Sequence, residues 1–360
     1  MKSTVLLSLI FFVSSNAWAQ TTRIVNNNPG ATGGVNVYTG ATALQNAINA
    51  SVSGDIIHVV ATTVSNGNVT ITDKSLTILG VGLNPQKGLG TRSLIGDITI
   101  NGTASSGTRL SGLHFLRLVY GYSGTNATLS NLLIENTQFN CVQQQNGTNA
   151  LANLIVRNCV INSHQGFSSA PQAFELFITS GVVITNNVIR SSPNTAGTIQ
   201  GTGLTIMNNL FWGNGTYYVF TGLVNSIVQN NIFARTSGSL APCGNCTGNS
   251  FSNNLVFGSV DNTFSNGTNG NNSAGGISAD PLLTNLPSTS GDWQYTYDIT
   301  LLAASPAKNA GLDGTNIGPT GGTIPYDTEV TLLPLIESVN MPAIVTKGVD
   351  LQVNVKAKGN

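Results

Sequence analysis

One short phrase recurs six times between Ile134 and Val256, and it constrains the fold more than any other feature of the sequence. Each copy begins on an apolar residue, reaches an asparagine two residues later and ends on an apolar residue, as in Ile184-Thr-Asn-Asn-Val-Ile189. The intervals between successive copies are 22, 28, 22, 22 and 23 residues, and the aligned asparagines are Asn136, Asn158, Asn186, Asn208, Asn230 and Asn253. Such a near-constant interval predicts a chain built from stacked repeats.

A period near 22 residues is too short for a repeat made of two helices. It suits one coil of a parallel β-helix, in which each short strand pairs with its equivalent one coil away. Asparagine tolerates the left-handed backbone conformation, so we expect it to turn the chain at the same place in each coil. Stacked coils would then place asparagine over asparagine, and we predict an amide ladder at the six aligned positions. Their role is therefore predicted to be structural.

The first nineteen residues have the pattern of a secretory signal. Lys2 supplies the positive start, an apolar run follows, and Ala17-Trp-Ala19 supplies the small residues of a cleavage site. The apolar run is too short to span a membrane. We expect the mature chain to begin near Gln20, to carry no lipid anchor because no cysteine follows the cleavage site, and to be secreted or held at the cell surface.

The charge of the chain limits its partners. Only 8% of the residues are charged, and the formal net charge is zero. Nucleic acids and anionic membrane surfaces both require clustered basic charge, so neither is expected as a partner. A surface glycan or another secreted or surface protein fits better.

The two ends of the chain differ from the repeat. Residues 20–54 are predicted to form an N-terminal segment that ends in a short amphipathic helix from Ala41 to Ala50, which would cap the first coil. The coils are expected over residues 55–325, and residues 326–360 are expected to form a C-terminal β tail. The tail would either cover the last coil or dock onto the sheet edge of another surface protein.

Three stretches of sequence carry a family resemblance. They are the predicted helix with the following SGDIIHV (residues 53–59), the KSLTILGVG strand (residues 74–82), and a closing segment that contains Asp280-Pro-Leu-Leu283 and Asp313-Gly-Thr-Asn-Ile-Gly318. Together with the paired asparagines, they resemble secreted right-handed parallel β-helix proteins of the pectate-lyase-like superfamily over about residues 36–325. The resemblance implies an all-β, right-handed parallel β-helix and does not specify an activity.

Four residues are candidates for catalysis. Enzymes of that superfamily that cleave acidic polysaccharides use a base and a neutraliser of the sugar carboxylate, often Ca²⁺, while glycoside hydrolases use paired carboxylates. His164 and Glu175 lie in the one long interval of the repeat and could act as an acid–base pair. Glu135 and Arg157 occupy the same outward position in adjacent coils, where a cross-strand ion pair is the simpler interpretation. No metal-binding motif is found, so Ca²⁺ is expected only if the protein is a lyase.

Aromatic residues and cysteines supply the remaining candidates. Aromatic side chains near predicted loops could stack on sugars or pack beneath the loops, and the candidates for ligand binding are Tyr120, Tyr122, Trp212 and Tyr217. Cys243 and Cys246 form a CxxC pair, for which a disulfide is favoured over a metal site because no further ligands are visible.

Two functions are compatible with the sequence. The leading hypothesis is a secreted or surface β-helix that takes part in binding, adhesion or assembly without catalysis, because no cluster of charged residues is evident in a chain that is only 8% charged. The alternative is a polysaccharide lyase or glycoside hydrolase that acts on an extracellular polysaccharide.

Overall fold

The fold is a parallel β-helix, as the repeat predicts. A computed structural model describes residues 20–84, 91–121, 128–145, 149–162, 173–176, 179–190, 199–213, 219–240, 243–260, 276–286, 293–327, 335–340 and 353–358. The predicted signal segment, residues 1–19, lies outside this part of the chain. The only regular α-helix among the described residues is α1 (Ala43–Ala50), and most of the remaining regular structure is short parallel strands.

The first seventeen strands lie before residue 181 and are β1 (Thr22–Asn26), β2 (Val37–Thr39), β3 (Ile56–Val59), β4 (Val69–Thr72), β5 (Thr77–Leu79), β6 (Ile98–Asn101), β7 (Arg109–Ser111), β8 (Arg117–Tyr120), β9 (Thr128–Ser130), β10 (Leu133–Glu135), β11 (Gln138–Phe139), β12 (Cys141–Gln144), β13 (Ala150–Ala152), β14 (Ile155–Arg157), β15 (Val160–Asn162), β16 (Phe174–Glu175) and β17 (Thr179–Ser180). Among the described residues, a 3-10 turn at Thr103–Ser105 lies between β6 and β7.

The later strands are β18 (Val183–Thr185), β19 (Val188–Arg190), β20 (Ile199–Thr202), β21 (Thr205–Met207), β22 (Leu210–Gly213), β23 (Phe220–Val224), β24 (Ile227–Gln229), β25 (Ile232–Leu240), β26 (Cys243–Gly244), β27 (Ser250–Ser252), β28 (Asn254–Val260), β29 (Gly276–Ser278), β30 (Leu283–Asn285), β31 (Asp298–Leu301), β32 (Leu335–Asn340) and β33 (Asn354–Lys358).

In the described part of the chain, four parallel sheets form the walls of the solenoid. In spatial order, sheet 1 is β2-β1-β3-β5-β7-β10-β14-β18-β21-β24-β27, sheet 2 is β11-β15-β19-β22-β25-β28-β29, sheet 3 is β26-β23-β20-β16-β12-β8-β6-β4, and sheet 4 is β17-β13-β9. One coil runs from β10 in sheet 1 through β11, β12 and β13 before β14 rejoins sheet 1 beside β10. The register read from the repeat is confirmed: Ile134 pairs with Val156, and Val156 pairs with Ile184.

The core lies inside the coils, because alternate residues of each strand point inward. Aliphatic side chains fill most of it, and phenylalanines stack along the axis where the coils repeat. The rings of Phe211 and Phe233, one coil apart, have centroids 4.9 Å apart and are nearly parallel.

The amide ladder lies one residue later than predicted. The six aligned asparagines do turn the chain, with φ between 48° and 55°. However, the side chains that stack inside the solenoid belong to the asparagines that follow the last four of them. Asn187 donates to Asn209 at 3.0 Å, Asn209 donates to Asn231 at 3.0 Å, and Asn231 donates to Asn254 at 3.1 Å.

The left-handed asparagine points out of the coil at the bend and its neighbour points in, so only the second can form a buried ladder. The prediction of a ladder at Asn136, Asn158, Asn186, Asn208, Asn230 and Asn253 was therefore wrong in position, although these residues are structural in another way.

The last four of these asparagines also hold a C-terminal segment, residues 293–327, which we call the strap. Asn186 donates to the carbonyl oxygens of Pro319 and Gly321, at 2.9 and 2.7 Å. Asn253 donates to the Ala310 carbonyl at 3.1 Å. The strap therefore runs back along the solenoid, opposite to the advance of the coils, and residues up to 325 do not all form coils as expected.

The strap covers the outer face of sheet 2. That face carries a buried apolar row of Val160, Val188, Leu210, Ile232 and Leu255, one residue per coil. Gly318 approaches it so closely that an added Cβ would lie 2.4 Å from the Ile232 side chain, and its φ of 89° also favours glycine.

The N-terminal cap contains more than the predicted helix. Strands β1 and β2 extend sheet 1 beyond β3, which the sequence did not indicate. Arg23 points inward from β1, pairs with Asp55 and donates to the carbonyl of Ala50 at the end of α1. The helix and an internal ion pair therefore close this end of the core.

The described part of the tail is a hairpin. Strands β32 and β33 pair with each other in antiparallel fashion and with no other described strand. The choice between capping and docking stays a prediction.

Candidate functional site

The most distinctive open surface is a groove on the outer face of sheet 3. Here the outward side chains are mainly hydroxyls and amides, because the alternate positions on these strands are filled by polar residues. One row crosses neighbouring strands in register and consists of Thr70, Thr99, Val119, Gln143, Glu175 and Gln200.

Two adjoining cavities make up the groove. One has a volume of about 240 Å³ and is lined by Arg117, Gln143 and Glu175, among others. The other has a volume of about 480 Å³ and reaches Thr70 and Asp97. They share Arg117, Val119 and Gln145. The groove spans strands β4, β6, β8, β12 and β16, and is therefore about 19 Å long at the usual spacing between strands.

Four polar side chains are linked across the floor of the groove. Asp97 lies just before β6, the strand next to β8. The Nη2 atom of Arg117 forms a salt bridge of 2.5 Å with the Asp97 carboxylate, and the Arg117 Nε atom donates to the same oxygen. On its other side, Nη1 lies 3.5 Å from the Gln143 side-chain oxygen. Gln143 in turn donates to Glu175 at 3.4 Å. We call this set, Asp97–Arg117–Gln143–Glu175, the groove row.

Asp97 depends strongly on Arg117. Its Oδ2 atom accepts from Arg117, while its Oδ1 atom is buried and has no hydrogen-bond partner among the described residues. A buried carboxylate oxygen without a donor is unfavourable, so the ion pair with Arg117 is the stabilising contact that the Asp97 carboxylate makes at this place.

The two carboxylates of the groove are far apart. Asp97 precedes β6 and Glu175 lies on β16, three strands away, so their separation is about 14 Å at the usual strand spacing. Paired carboxylates in glycoside hydrolases lie about 5–10 Å apart. Asp97 and Glu175 therefore do not form such a pair.

A free cysteine lies beside the groove row without contributing a nucleophile. Cys141 is fully buried and pairs in register with Arg117. Burial raises the pKa of its thiol to about 12, and the charges of Asp97 and Glu175 act in the same direction while Arg117 opposes them. The thiol therefore stays protonated near neutral pH, whereas reactive cysteines act as thiolates.

Sheet 1 holds Glu135 and Arg157, away from the groove. The Glu135 carboxylate accepts from Arg157 at 2.6 Å on one side and from Arg109 on the other. Burial alone would raise the pKa of Glu135, but the hydrogen bonds and charges of the two arginines outweigh it and lower the pKa. Arg109 was not anticipated, and the three side chains form a cross-strand ion-pair network.

The catalytic candidates are therefore not gathered at one place. Glu175 lies in the groove on sheet 3, and Glu135 and Arg157 lie on sheet 1. His164 lies outside the described residues.

Two of the aromatic candidates for ligand binding are wrong. Tyr120 and Trp212 are 0% and 1% exposed, so neither ring is available to stack on a sugar. Trp212 instead packs edge-on against Trp293 and Tyr297 of the strap. Tyr122 and Tyr217 lie outside the described residues.

Cys243 and Cys246 form a disulfide bond. In the part of the chain that the structure describes, no group of three or more histidine, cysteine, aspartate or glutamate side chains could hold a metal ion. The calcium of the lyase alternative therefore has no visible ligand set there. The same part contains no helix that is both long and apolar enough to cross a membrane.

The sequence analysis missed Asp97, Arg117 and Gln143. Their outward positions, in stretches where polar and apolar residues alternate, could have indicated them. However, the number of residues between successive strands of sheet 3 varies from coil to coil, so the sequence does not show which of these side chains become neighbours. Comparison with known proteins does not supply the missing assignment: no protein-family model matches the chain, and no curated protein matches it significantly.

Proposed function

We propose that this protein is a secreted or cell-surface β-helix of the pectate-lyase-like type that binds an extracellular glycan along the groove of sheet 3 and performs no chemistry there. The observation that carries the proposal is the in-register row of hydroxyl and amide side chains in an open groove about 19 Å long.

The chemistry of the groove suits a sugar polymer. Each coil adds one outward side chain to the row, so the groove presents hydrogen-bonding groups at the regular spacing of the strands. Hydroxyls and amides can both donate and accept, as sugar hydroxyls do. The strands fix these side chains on a rigid scaffold, which lowers the entropy that binding would cost.

The enzymatic alternative has less support. The described candidates for catalysis, Glu135, Arg157 and Glu175, lie on two different sheets, and the separation of Asp97 and Glu175 does not suit paired-carboxylate hydrolysis. Adhesion or assembly through a protein partner, with the tail as the docking segment, is a compatible second role for the same chain.

The experiment is a binding assay with matched variants. The double variant Thr99→Ala and Gln143→Ala removes two side chains of the groove. The control, Thr205→Ala with Gln229→Ala, removes the same residue types from the outer face of sheet 1. Mature protein is tested for co-sedimentation with a panel of insoluble polysaccharides and for release of soluble products.

We expect the groove variant to lose at least about tenfold in affinity, which corresponds to the loss of one or two hydrogen bonds, while the control binds as the unaltered chain does. Equal binding by both variants would contradict the groove as the binding surface. Turnover of any polysaccharide by the unaltered chain would contradict the non-catalytic role.

A further inference from the structure

The charge of the groove points to one class of glycan. Of the described residues that line the two cavities, three are charged: Asp97, Arg117 and Glu175. Their formal charges sum to −1, and the other lining side chains are neutral. An acidic polysaccharide would therefore meet excess negative charge.

Arg117 does not offset this for a ligand, because its guanidinium is already engaged. Nε and Nη2 both point to Oδ2 of Asp97, and Nη1 lies near Gln143. Binding a sugar carboxylate with the same fork would require Arg117 to leave Asp97.

Release of Arg117 would leave the Asp97 carboxylate without its ion-pair partner. The Oδ1 atom of Asp97 is buried without a partner among the described residues, so its charge would lose the main group that stabilises it. The pair is partly buried, with 33% of the Arg117 side chain and 19% of the Asp97 side chain exposed, so breaking it is unfavourable because it leaves a partly buried charge without its partner.

We infer that the groove binds a polysaccharide without acidic groups, and that the Asp97–Arg117 pair and Glu175 together exclude uronate-bearing polymers. The inference rests on the proposed function and specifies its ligand class. Glu175 is half-buried at the groove and accepts only one long hydrogen bond, from Gln143, among the contacts in the described part. Its carboxylate is therefore placed to accept sugar hydroxyls and to repel carboxylates.

The test uses a polymer and its chemically matched partner. A soluble polyuronate is compared with its carboxyl-reduced form, in which each carboxylate becomes a hydroxymethyl group on the same backbone. Polygalacturonate, polyglucuronate and polymannuronate give three such pairs. Affinity is measured with the mature chain at low and at high sodium chloride concentration.

We expect at least one reduced polymer to bind at least about tenfold more tightly than its parent, as close charge repulsion in a partly shielded groove implies. Salt screens charge repulsion, so the difference should shrink as sodium chloride is raised. The affinity for the reduced polymer should change little.

Two variants test whether Asp97 and Glu175 are the side chains that exclude acidic polysaccharides. Asp97→Asn removes a charge and releases Arg117, and Glu175→Gln removes a charge without touching the ion pair. Each should bring the preference for the reduced polymer below about threefold, since the formal charge of the groove becomes zero. Glu175→Gln keeps the test valid if Asp97→Asn fails to fold.

The failures of the two proposals are distinguishable. Tighter binding of a parent polyuronate, or an undiminished preference for the reduced polymer in both variants, would overturn the charge selection and leave glycan binding intact. No binding of any parent or reduced polymer, together with no binding in the insoluble panel, would overturn the proposed function and this inference with it.

Discussion

Sheets 2 and 3 are neighbouring walls of one solenoid, yet their outer faces are opposite in character. The outer face of sheet 2 carries the apolar row of Val188, Leu210 and Ile232, buried beneath the strap. The outer face of sheet 3 carries Thr99, Gln143 and Glu175 in an open groove. The backbone geometry is the same, so the side chains alone decide which face the chain covers.

This difference indicates that the outer face of sheet 2 serves the stability of the fold, while the outer face of sheet 3 is available for binding. A parallel strand that is apolar on both faces requires a cover, and here the strap supplies it. A strand that is polar on its outer face needs none and can serve a ligand. Variants on the two faces should therefore affect different properties.

The largest expected effect is on the covered face. Leu210→Ala should lower the free energy of unfolding by about 2–5 kcal/mol, because it leaves a cavity between sheet 2 and the strap. Gln143→Ala in the groove should change it by no more than about 0.5 kcal/mol, as a surface substitution does. Urea denaturation of both variants measures the contrast, and similar losses would remove the distinction between the faces.

A second prediction concerns the corner that joins sheets 1 and 2. Asn209→Ala should cost about 2–4 kcal/mol, since it leaves the Ile184 carbonyl and the Asn187 amide without their partners inside the core. Asn208→Gly should cost under about 1 kcal/mol, because glycine keeps the left-handed bend and only two long bonds to the strap are lost. Denaturation midpoints that rank the two in reverse would contradict the assigned ladder.

Asn186→Gly tests the attachment of the strap. It keeps the bend but removes two short bonds to Pro319 and Gly321, at an expected cost of about 1–2 kcal/mol. In a chain that starts at Gln20, Trp212 and Trp293 are the two tryptophans, and Trp293 of the strap packs edge-on against Trp212 of sheet 2. If the strap of the variant detaches first, the tryptophan fluorescence should shift to longer wavelength at a lower urea concentration than the one that unfolds the coils. One simultaneous transition in the variant would show that the strap and the coils unfold together.

The smallest expected effect concerns pH. His114 continues the outward row of sheet 2 beyond Gln138, where the row becomes polar. Burial, with a contribution from the charge of Arg92, lowers the pKa of His114 from 6.5 to about 4. The unfolded chain then binds more protons between these values, so stability should fall as the pH falls from about 6.5 to about 4.

His114→Gln should therefore make stability less dependent on pH in this window. Some dependence should persist, because burial also lowers the pKa of His58. Urea midpoints at pH 7 and pH 5 provide the measurement. An unchanged difference between the two pH values in the variant would mean that His114 is not the group responsible.

The repeat made the coils predictable and left the strap hidden. Each coil repeats an inward apolar residue and a bend, so the register of sheet 1 could be read from Ile134, Val156 and Ile184. The strap has no period, and it is held by side-chain bonds to its backbone over long separations, such as 133 residues between Asn186 and Pro319. Local pattern carries no signal for such contacts.

The groove was predictable only in part. Glu175 was named because it lies in the longest interval of the repeat, but the residues that join it vary in type from coil to coil. Arg117 and Asp97 meet only when strands separated by a variable loop are stacked, and that stacking was not read from the sequence for sheet 3. The burial of Tyr120 and Trp212 could not be predicted either. The sequence did not show which residues of sheet 3 point inward, or that the strap covers the outer face of sheet 2.

The most direct test of the groove is to label carboxylates with a carbodiimide and an amine and to quantify the products by mass spectrometry. Glu175 lies in the groove, while Asp313 is exposed on the strap and serves as an internal control. With a bound glycan at saturation, we expect the labelling of Glu175 to fall severalfold and that of Asp313 to stay constant. A glycan that binds and protects Asp313, or that leaves Glu175 fully labelled, would show that the binding surface lies elsewhere.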